Sequence, residues 1–160
     1  MSSSRKVLIF GGLALAIAGI CYGLVYAVFI EHQTLDGLGA SLTSAFVQAA
    51  AGDLPAANSS LDRYAGNAYV YVRQVDAHSH WIGLAMILIV LGLAFDRLGF
   101  GEKAKLMLAV MLLTGSAVFP LGVLMQTWTL GPLPQAIAAL GATAVTVALA
   151  GAAVGFSRAH

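Results

Sequence analysis

Apolar residues fall into four long runs, 7–30, 81–95 with an upstream extension, 106–127 and 133–156, and none carries Asp, Glu, Lys or Arg in its interior. A bilayer core about 30 Å thick needs roughly 20 mainly apolar residues per spanning helix. The pattern predicts four transmembrane helices at about 7–30, 76–96, 106–127 and 133–156. Between the first two lies a segment of mixed polarity, 31–75. There Leu35, Leu38, Leu42, Phe46 and Ala49 recur at three- and four-residue spacing, which predicts an amphipathic helix ending at Gly52. Asp53-Leu54-Pro55 breaks it, and Asn58-Ser59-Ser60 offers turn and N-cap chemistry for the next helix. Leu61, Tyr64, Ala65, Ala68, Val72 and Val75 then resume the helical spacing. No proline occurs between Pro55 and Pro120. This second outer helix is therefore predicted to run straight into the second span, projecting about 20 residues, or about 30 Å, from it. The reading is an all-α integral membrane protein: a four-helix transmembrane bundle, one domain over 1–160, with an outer helical hairpin between spans one and two.

Small residues and prolines refine the spans. Gly12, Ala16, Gly19 and Gly23 form a stripe on one face of the first, and Gly151 and Gly155 a small-xxx-small pair in the fourth. Such stripes let helix backbones approach closely in a bilayer, where packing drives association. Gly99 or Gly101 suits the C-cap after the second span, Glu102 a helix start, and Pro132 or Pro134 the start of the fourth helix. Pro120 lies inside the third span and should leave a backbone carbonyl near Ser116 without its donor.

Composition supports a membrane environment: 59% of residues are hydrophobic, only 9% are charged, and mean hydropathy is +0.87. Soluble domains carry about a quarter charged residues. The net charge of +1, with no basic run longer than two residues, argues against nucleic-acid binding. A single cysteine, Cys21, rules out a disulfide within one chain and reads as a small buried apolar residue. The first apolar run, 7–30, is longer than the roughly 7–15 residues of a signal-peptide core, so it is expected to be retained as a span. Arg5, Lys6, Arg97, Lys103, Lys105 and Arg158 flank one side of the predicted spans, and only Arg63 and Arg73 the other. The positive-inside rule then places both termini in the cytoplasm of a bacterial inner membrane, with 31–75 facing outward. Tyr64, Tyr69, Tyr71 and Trp81 would form an aromatic belt at the outer interface.

The candidate chemistry lies at that outer rim. Glu31, His32 and Asp36 follow the first span, Asp76, His78 and His80 enter the second, and Met125 and Gln126 end the third. Imidazole is the commonest metal ligand and also an axial haem ligand. Residues two apart on a helix point about 200° apart, so His78 and His80 cannot both face one ion, whereas Asp76 and His80 share a face. A carboxylate there could orient one imidazole through its second nitrogen. Two cofactor readings follow. One is haem b held by His32 with His78 or His80, Met125 being a further axial candidate. The other is a copper or zinc ion held by His32, Asp76 and His80. The third reading leaves all three histidines as interfacial residues bonded to carboxylates, carbonyls or headgroups. His160 reads as a tail residue.

His78-Ser79-His80 opening an apolar helix, followed by Gly83 and Gly92, resembles the His-x-His helix start of small four-span bacterial membrane proteins distantly similar to the haem-bearing subunit of haem–copper oxidases. The resemblance covers about 20 of the 160 residues. It implies a haem-associated membrane helix. It does not extend to an internal bis-His haem or a binuclear centre within the bilayer, since the third and fourth spans contain no histidine. No nucleophile–base pair, phosphate loop or intramembrane carboxylate relay argues for catalysis. The sequence reading is a small subunit of a larger membrane complex, partnered by lipid, other subunits or its own copies. Such a subunit either carries haem or a metal ion for electron transfer or serves as a cofactor-free structural subunit.

Overall fold

A computed structural model describes residues 1–158; His160 lies outside them. Helix α1 (Ser3–Val25) passes through one π-helical turn (Tyr26–Ile30) into α2 (Glu31–Ala50). It is followed by α3 (Leu54–Ala94) with a terminal 3-10 turn (Phe95–Arg97), α4 (Glu102–Met125) and α5 (Pro132–Ser157). Four continuous helical stretches are long and apolar enough to cross a membrane. As the absence of internal proline predicted, α3 runs unbroken for 41 residues.

Gly52, at φ 79°, is the one described residue in the left-handed region, and it lets the chain reverse after α2. The start of α3 differs from the sequence reading. Asp53 is the N-cap, its carboxylate accepting from the Ala56 N–H at 3.1 Å. Pro55 falls in the first turn, where its missing N–H removes only a donor that would lack a helical partner. Pro55 thus begins a helix instead of separating two. Ser60, expected in the cap, is fully buried between α2 and α3. There the Gln48 amide nitrogen donates to Ser60 Oγ and to the Ala56 carbonyl, each at 2.8 Å.

At the end that holds the N-terminus, a polar clasp joins three helices. Ser2 Oγ accepts from the Arg5 N–H at 3.3 Å and its hydroxyl donates to the Asp96 carboxylate, which Arg5 also meets at 3.3 Å. The Ser4 N–H and hydroxyl both donate to Glu102 Oε1, at 3.1 and 3.0 Å. Lys105 Nζ donates to the Asp96 carbonyl at 2.7 Å. Gly99 and Gly101 do not serve as left-handed C-caps. Gly99 instead allows close passage of the C-terminal segment: a Cβ there would strike the Arg158 backbone, and the Gly99 N–H donates to the Gly155 carbonyl at 2.9 Å.

The small-residue stripe of α1 lies against α3. A Cβ at Gly12 would meet Ala85 and Leu88, at Gly19 Trp81, and at Gly23 His78. The stripe is therefore satisfied inside the chain. Helix α5 lies along α4, burying Pro134, Ala138, Gly141, Val145, Ala148, Ala152 and Gly155 at three- and four-residue spacing. Gly122 and Gly141 permit this approach, since a Cβ on either would collide with backbone of the facing helix. Leu8, Leu15, Trp81, Ala85, Leu88, Leu112, Val145 and Ala148 belong to one core cluster joining both helix pairs. Two expectations are corrected here. Trp81 is 8% exposed and edge-on to Tyr22 at 5.4 Å, so it is a core residue and no part of a belt. Cys21 is exposed, because it lies off the α1 stripe that faces α3. Pro120 is fully buried within α4, and nearby Ser116 Oγ is buried without a partner.

Candidate functional site

The π-helical turn at 26–30 sits where α1 gives way to α2, and its wider i→i+5 pairing is seen in the Glu31 N–H bonding to the Tyr26 carbonyl. It has no signature in the sequence, because a single wide turn leaves the apolar pattern almost unchanged. His32 follows directly on α2. It is exposed and its Nε2 lies 3.8 Å from Asp36, one turn further along.

His78 and His80 face different helices, as their two-residue spacing requires. The His78 ring lies on Gly23 of α1, and its Nδ1 is 3.0 Å from the Gly19 carbonyl. His80 packs edge-on to Phe119 of α4 at 4.7 Å between ring centroids, with Nδ1 2.6 Å from the Asp76 carbonyl. A carbonyl only accepts, so Nδ1 of each ring carries a proton, and in a neutral imidazole Nε2 then keeps a lone pair.

The expected Asp76–His80 carboxylate pairing is replaced by another. The Asp76 carboxylate lies 3.6 Å from Arg73, and His80 takes the Asp76 backbone instead. Helical side chains lean toward the N-terminus, which carries Asp76 back toward Arg73 and away from His80. The structure therefore does not assemble His32, Asp76 and His80 into a three-ligand set. Among the described residues no three His, Cys, Asp or Glu side chains come together at metal-binding range.

Sequence reasoning missed a second polar grouping at the same end. The Tyr69 hydroxyl donates to Gln126 Oε1 at 3.1 Å, fixing the end of α4 level with the middle of α3. The Arg73 guanidinium lies over the Tyr69 ring, 5.0 Å from its centroid. Gln126 reads as a rim residue from sequence, but its partner is 57 positions away and invisible to local pattern. The Tyr26 hydroxyl is also buried there without a partner. No protein-family model, curated protein or solved structure matches this chain. The site must be read from its own geometry, in which the His78 and His80 rings face different helices.

Proposed function

We propose that the protein is a non-catalytic subunit of a larger membrane complex, structural in role and carrying no cofactor of its own. In this reading its four apolar helices cross a bacterial inner membrane with both termini in the cytoplasm. The distribution of Lys and Arg supports that orientation. Helix α2 and the first half of α3 then form a hairpin standing outside the membrane. One observation carries the reading. Residues 54–69 of α3 extend about 22 Å past the level of Gln126, and this projection exposes Leu35, Phe46, Val47, Leu54 and Leu61. Phe46 is 68% exposed. Apolar surface of this kind on a projecting element marks an interaction site.

The test is crosslinking and mild-detergent purification from native membranes, comparing wild type with a Phe46→Glu/Val47→Glu variant. A defined complex that the wild type retains and the variant loses, with helicity unchanged, supports the reading. A chain that migrates as a lone monomer in both forms overturns it.

A second reading rests on His80, whose Nδ1 meets the Asp76 carbonyl, so that Nε2 has a lone pair to offer when the ring is neutral. That is the tautomer a neutral imidazole uses to bind haem b, copper or zinc. His78 has the same tautomer but points to α1, and His32 stands on another helix, so a partner would complete the ligand set. A visible spectrum and elemental analysis of the purified complex separate the two readings. Absence of a Soret band and of bound copper or zinc removes the second. A cofactor content unchanged by His80→Ala and His32→Ala removes this site even if a cofactor is present.

A further inference from the structure

A cleft lies apart from the histidines where α3 rises past the α4–α5 turn. It has a volume of about 480 Å³, with Gly66, Tyr69 and Val70 as its wall and Gln126, Trp128 and Leu130 on the other side. Trp128 is 77% exposed. Arg73 shares a face with Gly66, Tyr69 and Val70, at i, i+3, i+4 and i+7 along α3. Its side chain leans back toward the helix N-terminus, which brings the guanidinium over the ring of Tyr69, one of the residues that line the cleft.

This guanidinium has one acidic neighbour on α3, the Asp76 carboxylate, and more donors than that one group can take. Arginine offers five N–H donors. Here Nη1 is ion-paired with the Asp76 carboxylate at 3.6 Å, and Nε is shielded from solvent with no acceptor. Arg63, the one other cation between Lys6 and Arg97, is ten residues or about 15 Å further along α3 and donates to Ser60 Oγ. Positive charge near the cleft therefore comes from Arg73 alone among α3 residues, and a bound phosphate would share that guanidinium with the Asp76 carboxylate. A planar fork with unused donors matches phosphate oxygens. An exposed indole beside it suits the level where headgroup meets acyl chain.

We propose that the cleft binds a phosphate-bearing amphiphile. Arg73 takes the phosphate oxygens, the Tyr69 hydroxyl and Gln126 amide border the polar remainder, and Val70, Trp128 and Leu130 cover the first apolar segment. A membrane phospholipid and a soluble phosphate ester share this chemistry. The inference goes beyond the subunit reading and concerns a different surface from Phe46 and Val47, so either can fail without the other.

The experiment is native mass spectrometry of the full chain in detergent with phosphatidylglycerol, diacylglycerol of the same acyl chains, or glycerol 3-phosphate. Phosphatidylglycerol is expected to be retained at least tenfold over diacylglycerol. Arg73→Gln should cut its retention at least fivefold, and Arg63→Gln should leave it unchanged. Binding of glycerol 3-phosphate as tight as that of the lipid would support the phosphate site and assign its source to a soluble ester. Equal retention of phosphatidylglycerol and diacylglycerol, or retention unaffected by Arg73→Gln, overturns the proposal. Should Arg73→Gln fail to fold, Trp128→Ala on the exposed turn replaces it. A several-fold loss of lipid then supports the site and unchanged retention overturns it.

Discussion

Close approach in this molecule depends on single glycines whose surroundings differ sharply. At Gly141 an added Cβ would strike the Phe119 backbone, and at Gly122 the Ala138 backbone. A helix backbone cannot yield as a flexible side-chain tip can, so α4 and α5 would have to separate. Gly141→Ala and Gly122→Ala are each expected to destabilise the fold by about 1–3 kcal/mol, the usual range for overpacking. Gly83 has nothing within 4 Å of its would-be Cβ. Gly83→Ala is expected to be neutral or stabilising by up to about 1 kcal/mol, from helix propensity alone. Denaturation in mixed micelles measures all three, and an equal loss for Gly83→Ala and Gly141→Ala would contradict this account. At the histidines, divergence was legible from a two-residue spacing. Capture of the Asp76 carboxylate by Arg73 was not, because both Arg73 and His80 lie within one turn of it and only the lean of the side chains decides between them.

Helix boundaries followed local rules wherever one rule had no competitor. Gly52 ends α2 as its position suggested, and the lack of proline after Pro55 left α3 continuous. For the start of α3 the sequence points to cap chemistry at Asn58-Ser59-Ser60, whereas the structure caps the helix earlier, at Asp53. Asp53→Ala should cost about 1 kcal/mol, a typical N-cap loss. It should speed hydrogen exchange at Ala56, whose N–H the Asp53 carboxylate accepts. Ser60→Ala should leave exchange at Ala56 slow, since Ser60 bridges helices instead of capping one. Faster exchange in the Ser60 variant alone would restore the later start. The π-helical turn between α1 and α2 had no local signature, because it shifts the face presented to α3 without changing which residues are apolar.

The molecule as a whole is closed at one end and open at the other. Ser2, Ser4, Arg5, Asp96, Glu102 and Lys105 tie the terminal end together, while past Gln126 only α2 and α3 continue. In the proposed orientation the closed end is cytoplasmic and the open end external. A cysteine introduced singly at positions 53–60, in a Cys21→Ser background, should react with a membrane-impermeant maleimide added from outside intact spheroplasts. Labelling only after the membrane is broken would invert the proposed topology. The six cations grouped near the closed end give the orientation its physical basis.

The sequence by itself determined the helical composition, the four apolar stretches, the continuity of α3 and the opposed directions of His78 and His80. Each follows from spacing along one helix, which local geometry translates directly into a face or a length. Tertiary structure alone decided that the Gly12–Gly23 stripe is used up by α3, that Trp81 enters the core, and that Tyr69 meets Gln126. It also decided that Arg73 lies over Tyr69, which lines a cleft. These depend on which helix lies beside which, and residues 57 positions apart leave no periodic trace of meeting.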